Sequence, residues 1–311
     1  MRFQEAFFGT DGKLRSGWRF GIFVALFVVS TVVLSAVGTA FLYGLPSPPS
    51  PATAFIVTSL LALAPALGLG WLCGKFLEGL PFRALGAWFT GGWGVHLIAG
   101  LVIGAITLAI AIGIASLFGD LDFVYNVYAE PSAIANTLIT SFFVFAIAAA
   151  FEEALFRGYI LQTFARSGLA WLAIVLTSVF FGGVHLGNPN VSYLGAINTA
   201  IAGVWFGIAY LKTRDLWFVW GMHLMWNWMQ GAIFGVEVSG LTDIVSAPLL
   251  KEMDGGPFWW TGGDYGIEGS VACTIALIAS TVGIYFMPFL KASDEMLALT
   301  SPPERVTASE S

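Results

Sequence analysis

Charge is what this sequence lacks. Only 13 basic and 19 acidic side chains are spread over 311 residues, 10% of the chain, against 57% apolar residues. A soluble domain carries about 25% charged residues, and a tenth is too few to cover a water-soluble globule of this size. An ordinary soluble enzyme, a disordered segment and a nucleic-acid binder, which needs a basic face, are all excluded. The solvent that suits the chain is a lipid bilayer. Cysteine is also scarce: Cys73 and Cys273 each lie inside an apolar run, so no disulfide framework is indicated. No secretory leader stands out, because the first apolar run, 20–42, is longer than a signal-peptide core and reads as an uncleaved anchor. The alternating ten-residue segments of a membrane barrel are missing, as is the internal repeat that marks many transporters.

What is present is a series of apolar runs. A helix needs about 20 apolar residues to cross the hydrocarbon, and the runs 20–43, 52–73, 95–118, 133–164, 169–186, 193–211, 216–236 and 270–289 qualify. The expected fold is therefore all-α, a polytopic membrane helix bundle of about eight transmembrane helices. Lys and Arg resist translocation, and those in loops, with Lys251 as the exception, fall on one side of such a bundle. Both termini are thus expected on the cytoplasmic side of a plasma membrane. On this map the outer loops carry one basic and nine acidic groups, so the net charge of −6 belongs to the outer face. The segments divide into a cytoplasmic stretch 1–19, N-terminal helices 20–132, a core 133–236, an outer loop with the last helix 237–291, and a tail 292–311. The tail, rich in Ser, Glu and Pro, reads as disordered; 77–92 suits a short helix in the cytoplasmic interface. The aromatic outer loop up to residue 269 reads as an interfacial cap whose acids face the next helix N-terminus.

Ionisable groups at depth are costly and point to function by default. Glu152, Glu153 and Arg157 interrupt the fourth run. Glu153 and Arg157 stand at i and i+4 with the acid first, the favourable orientation. Glu152 is left without a mate on its own helix, which suits a general base or acid. Phe181 and His185 share a face at the end of the fifth run, and His223 and Asn227 share one in the seventh. Taken singly, each has a plainer reading as a buried ion pair, a satisfied histidine or polar glue between helices. Depth ties them together. At about 1.5 Å per residue, Glu152, His185 and Asn227 lie about 21, 25 and 20 Å from the cytoplasmic boundary, with His223 about 6 Å below Asn227. Three helices thus offer Glu, two His and Asn within a slab about 12 Å thick. His96 lies about a full span away.

E-E-x-x-x-R, F-x-x-x-H and H-x-x-x-N, in that order along 133–236, resemble the motifs of the CAAX protease and bacteriocin-processing (CPBP, or Abi) family of intramembrane proteases, which includes the Ras-converting CAAX endopeptidase. The resemblance implies hydrolysis of a peptide bond in a membrane-associated or prenylated protein or peptide. Carried over by position, Glu152 would activate water with His185 beside it. His223 and Asn227 would hold the oxyanion, and Glu153, Arg157 and Phe181 would support them. A base within reach of water and donors aimed at the tetrahedral oxygen are what amide hydrolysis needs. Glu152, His185 and His223 could also form a two-His, one-carboxylate zinc set, although H-E-x-x-H is absent; the reading leans to metal-independent chemistry. No serine sits in a G-x-S-x-G frame, and every Asp falls outside the spans. The expected partners are the bilayer and a membrane-associated substrate, with no nucleic acid. A proton-coupled transporter and a non-catalytic immunity or scaffold protein of the same fold are the alternatives.

Overall fold

The computed structural model describes residues 3–9 and 11–302. A short helix α1 (Phe3–Phe7) precedes the long helices α2 (Ser16–Tyr43) and α3 (Pro51–Cys73). The end of α3 widens into a π-helical turn over Gly74–Glu78, followed by a 3₁₀ turn at Phe82–Leu85 and by α4 (Trp93–Gly119). Helix α5 (Pro131–Glu153) continues through a second π segment, Ala154–Ile160, into α6 (Leu161–Ala165). Helices α7 (Ala170–Val184), α8 (Tyr193–Thr213) and α9 (Leu216–Trp228) follow, α9 ending in a third π turn, Met229–Ile233. After α10 (Phe258–Thr261) come α11 (Val271–Phe286) and α12 (Asp294–Thr300).

Start signals explain where the helices begin. In lipid, the free N–H groups of a first turn have no water to bond, so a side chain must accept from them. Ser50 accepts from the N–H of Thr53, with Pro51 in the first helical position; Ser192 accepts from Gly195, Asp215 from Trp217 and Ser270 from Cys273. All eight apolar runs are helical. Six helices among the described residues have the length and hydropathy to cross a bilayer; α9 and α11 are shorter. His223, Asn227 and Gln230 dilute the apolar character of α9 and its π turn. Helix α11 stops at Met287, which takes the extended backbone favoured before Pro288.

The all-α bundle carries one small sheet: β1 (Leu121–Tyr125) pairs antiparallel with β2 (Leu250–Asp254), with Leu121 opposite Asp254 and Tyr125 opposite Leu250. One expectation needs correction. The tail is not disordered as far as Thr300. Ser293 caps α12, Met296 and Thr300 are buried, and Glu295 pairs with Arg83 at 3.0 Å. The rest of that expectation, 303–311, lies outside the described residues. The 77–92 segment forms its short helix as the 3₁₀ turn at Phe82–Leu85.

Helices α4, α8, α9 and α11 close on one core containing Leu108, Trp205, Phe218, Met222 and Ala276, while Val29, Val33 and Val37 of α2 face outward. Helix α9 is held most closely. A Cβ at Gly100 of α4 would lie 2.1 Å from the carbonyl oxygen of Phe218, and one at Gly104 would lie 2.3 Å from that of Met222. Small residues four apart let the two backbones touch, the usual device of membrane helix pairs.

At one end of the bundle Glu78 is fully engaged. Its Oε2 pairs with Arg19 Nη1 at 2.6 Å and accepts from Arg166 Nε at 3.0 Å. Its Oε1 accepts from Arg166 Nη2 at 2.9 Å and from the Thr163 hydroxyl at 3.0 Å. Nearby, His96 bonds Asp215 at 2.8 Å, against a burial that pushes the Asp215 carboxyl up.

Candidate active site

Glu152 and Glu153 are the last residues of α5, at the point where the helix passes into its π segment. One extra residue per turn breaks the 3.6 spacing there, and such segments are frequent at functional sites. The fully buried Arg157 still reaches back to Glu153, with Nη1 3.2 Å from Oε1. Its Nη2 donates to the Gly203 carbonyl of α8 at 3.2 Å, and its guanidinium carbon lies 4.8 and 5.0 Å from the ring centres of Phe181 and Phe206. Arg157 is thus caged by aromatic faces, which attract a cation.

The same Glu153 Oε1 lies 2.8 Å from His223 Nδ1. A carboxylate only accepts, so Nδ1 carries the proton. The imidazole lies flat on Phe206, with centres 4.8 Å apart, and its Nε2 stands 3.8 Å from Glu152 Oε2. Glu153 is therefore more than a mate for Arg157: it orients His223. Glu152 differs from it. Its side chain is 23% exposed and its carboxylate accepts no hydrogen bond from the described residues, whereas Glu153 is 1% exposed and only its Oε2 is without a partner.

His185 sits in a 3₁₀ turn just beyond α7, and its Nδ1 donates to the Phe181 carbonyl at 2.7 Å. That bond fixes the tautomer and leaves the lone pair on Nε2. Phe181 packs 4.8 Å from the His185 ring and 6.1 Å from that of His223, centre to centre. This wedge between the two imidazoles is the physical content of the F-x-x-x-H spacing.

Glu152, His185, His223 and Asn227 line one cavity of about 220 Å³. A water needs about 10–15 Å³ of such space, so several waters or a peptide segment fit. His96 does not take part; it bonds Asp215 near the other end of α9. Among the described residues no group of three or more His, Cys, Asp and Glu converges tightly enough to hold a metal ion, the set Glu152, His185 and His223 included.

One residue of the cavity was missed from the sequence. Glu268, expected to be an acid facing the next helix N-terminus, instead lines the cavity together with Ser239 and Asn188. Its position two residues before the Ser270 cap, level with the His185 end of the bundle, is the one signal that would have placed it.

Residues 134–229 match the family described as type II CAAX prenyl endopeptidase Rce1-like. This part of the chain is similar to that family. The match runs from α5 to the first residue of the last π turn, so it includes all seven motif residues and stops short of Glu268. The family implies a CAAX-type protease activity in an integral membrane protein. No curated protein matches the chain.

Proposed function

We propose that this protein is an intramembrane endopeptidase that cuts a membrane-associated or prenylated, CAAX-type protein or peptide, with Glu152 as its base. The observation that carries the reading is the unpartnered Glu152 Oε2, placed 3.8 Å from His223 Nε2 on a cavity shared with His185 and Asn227. A buried carboxylate oxygen with no partner costs free energy, and a water in the cavity offers it one.

A water between Glu152 and the lone pair of His185 Nε2 gives a proton to Glu152 as its oxygen bonds to the peptide carbonyl carbon. The oxyanion meets the Asn227 amide and His223. With carboxylates at both ring nitrogens, His223 matches its neighbours when each nitrogen carries a proton, so Nε2–H is a donor. The site is then charge-balanced, Glu153 by Arg157 and Glu152 by His223. Collapse of the tetrahedral centre breaks the C–N bond, and Glu152 returns its proton to the leaving amine nitrogen. Every step uses side chains of this chain alone.

The reading sets both termini on the cytoplasmic face of a plasma membrane, following the Lys and Arg distribution. The test is cleavage of quenched-fluorescent apolar or prenylated peptides by the purified protein in detergent. Glu152→Gln and His185→Ala abolish cleavage while the protein stays folded, and a strong chelator leaves it unchanged. Cleavage that survives both substitutions sinks the site assignment; cleavage lost to chelator and restored by zinc sinks the metal-free chemistry.

A further inference from the structure

Glu268 brings a second carboxylate to the cavity from the 3₁₀ turn Ile267–Gly269. Its direction is fixed. The backbone N–H and the hydroxyl of Ser239 donate to Oε2 at 2.6 and 2.7 Å, and Trp226 Nε1–H donates to Oε1 at 3.3 Å. The backbone carbonyl of Glu268 accepts from Asn198 at 2.8 Å. Oε2 has two short bonds, whereas Oε1 has one long bond and keeps accepting capacity. Burial pushes the Glu268 carboxyl up, but the Ser239 donors and His185 oppose this. None of the described residues lining the cavity is Lys or Arg, so Glu152 and Glu268 face two imidazoles and no permanent cation.

An occupant of this cavity therefore meets acceptors on two sides. A cationic or N–H-bearing group gains a charge-assisted bond at Glu268, and an anionic group is repelled by it. Resting on the peptidase reading above, we propose that Glu268 is a specificity-determining residue: it accepts from a cationic or amide-bearing side chain of the peptide close to the bond that is cut and rejects an acidic one.

The test uses the full chain in detergent and a set of apolar fluorescent peptides in which Lys, Gln or Glu is scanned through each position around the mapped cleavage point. At one or two positions, kcat/KM falls in the order Lys, Gln, Glu, with about tenfold between the extremes. In Glu268→Gln the Lys-to-Glu ratio at those positions collapses towards one, and in Glu268→Asp it shrinks but keeps its sign. A flat scan in the unsubstituted protein overturns the proposal whether or not the variants fold, and so does a preference that survives Glu268→Gln. Anisotropy with the Glu152→Gln protein reads the same order as Kd. If no peptide is cleaved but that order holds, the peptidase reading fails and the assignment of Glu268 stands; if the order is absent, Glu268 has no such role.

Discussion

Two carboxylates at different levels of the same bundle, Glu78 and Glu152, are treated in opposite ways. Both oxygens of Glu78 are occupied, by two arginines and a threonine drawn from two separate segments, and its side chain is 4% exposed. Glu152 has a histidine nitrogen at 3.8 Å, an oxygen without a partner, and a cavity in front of it. The first arrangement is finished and can only hold helices together. The second is unfinished, and the cavity in front of it leaves room for a partner.

The sharpest way to break this contrast is Glu152→Gln. Losing a positioned base costs about 10²–10⁴ in rate, so cleavage falls by that order while thermal stability in detergent changes little. Glu78→Ala does the reverse: it leaves two arginines buried without their carboxylate. Breaking a buried pair in this way costs about 3–5 kcal/mol, and the readout is a lowered melting point or loss of folded protein. Should Glu78→Ala remain stable but inactive, the division between the two carboxylates is wrong. A smaller effect comes from Asn227→Ala, which removes one oxyanion donor and lowers kcat by about 10², with KM close to unchanged in steady-state assays.

The smallest effect concerns a third kind of carboxylate, on β2. Burial, with Glu237, Asp254 and Asp264 nearby, pushes the Glu252 carboxyl up to about 8. Because the folded form holds that proton more tightly than the unfolded chain does, the associated stability is full below the ordinary carboxylate range near pH 4 and is lost as pH rises towards about 8. Melting points measured from pH 5 to 8.5 fall in the unsubstituted protein and flatten in Glu252→Gln. An equal slope in both assigns the pH dependence elsewhere.

These cases also show what a sequence of this kind makes legible. Each helix of the bundle announces itself, because an apolar run of span length has few other structures open to it in lipid. The motif residues could be found for a related reason: a charge inside such a run is conspicuous, and i, i+4 spacing says which groups share a face. Glu78 and Glu268 carry no such mark. They lie at the ends of helices, where acids are ordinary, and their partners stand far along the chain: Arg166 is 88 residues from Glu78, and Trp226 is 42 from Glu268. The β1–β2 pairing was hidden likewise, since strand partners far apart in sequence leave no local period. The second role of Glu153, bonding His223, needed the packing of α5 against α9.

The contact of Gly100 and Gly104 with the backbone of α9 fixes one wall of the cavity. With the carbonyls of Phe218 and Met222 pressed against α4, α9 has no space to roll or tilt on that side, and His223 and Asn227 keep fixed positions. The Ser239–Leu241 loop on the other side is held in the same way: a Cβ at Gly240 would lie 2.0 Å from the Pro189 carbonyl oxygen, and the Gly240 N–H donates to the Tyr265 carbonyl at 3.1 Å. Two walls of the cavity are thereby held through backbone contacts, so the places of His223, Asn227 and Ser239 around it are set before anything enters.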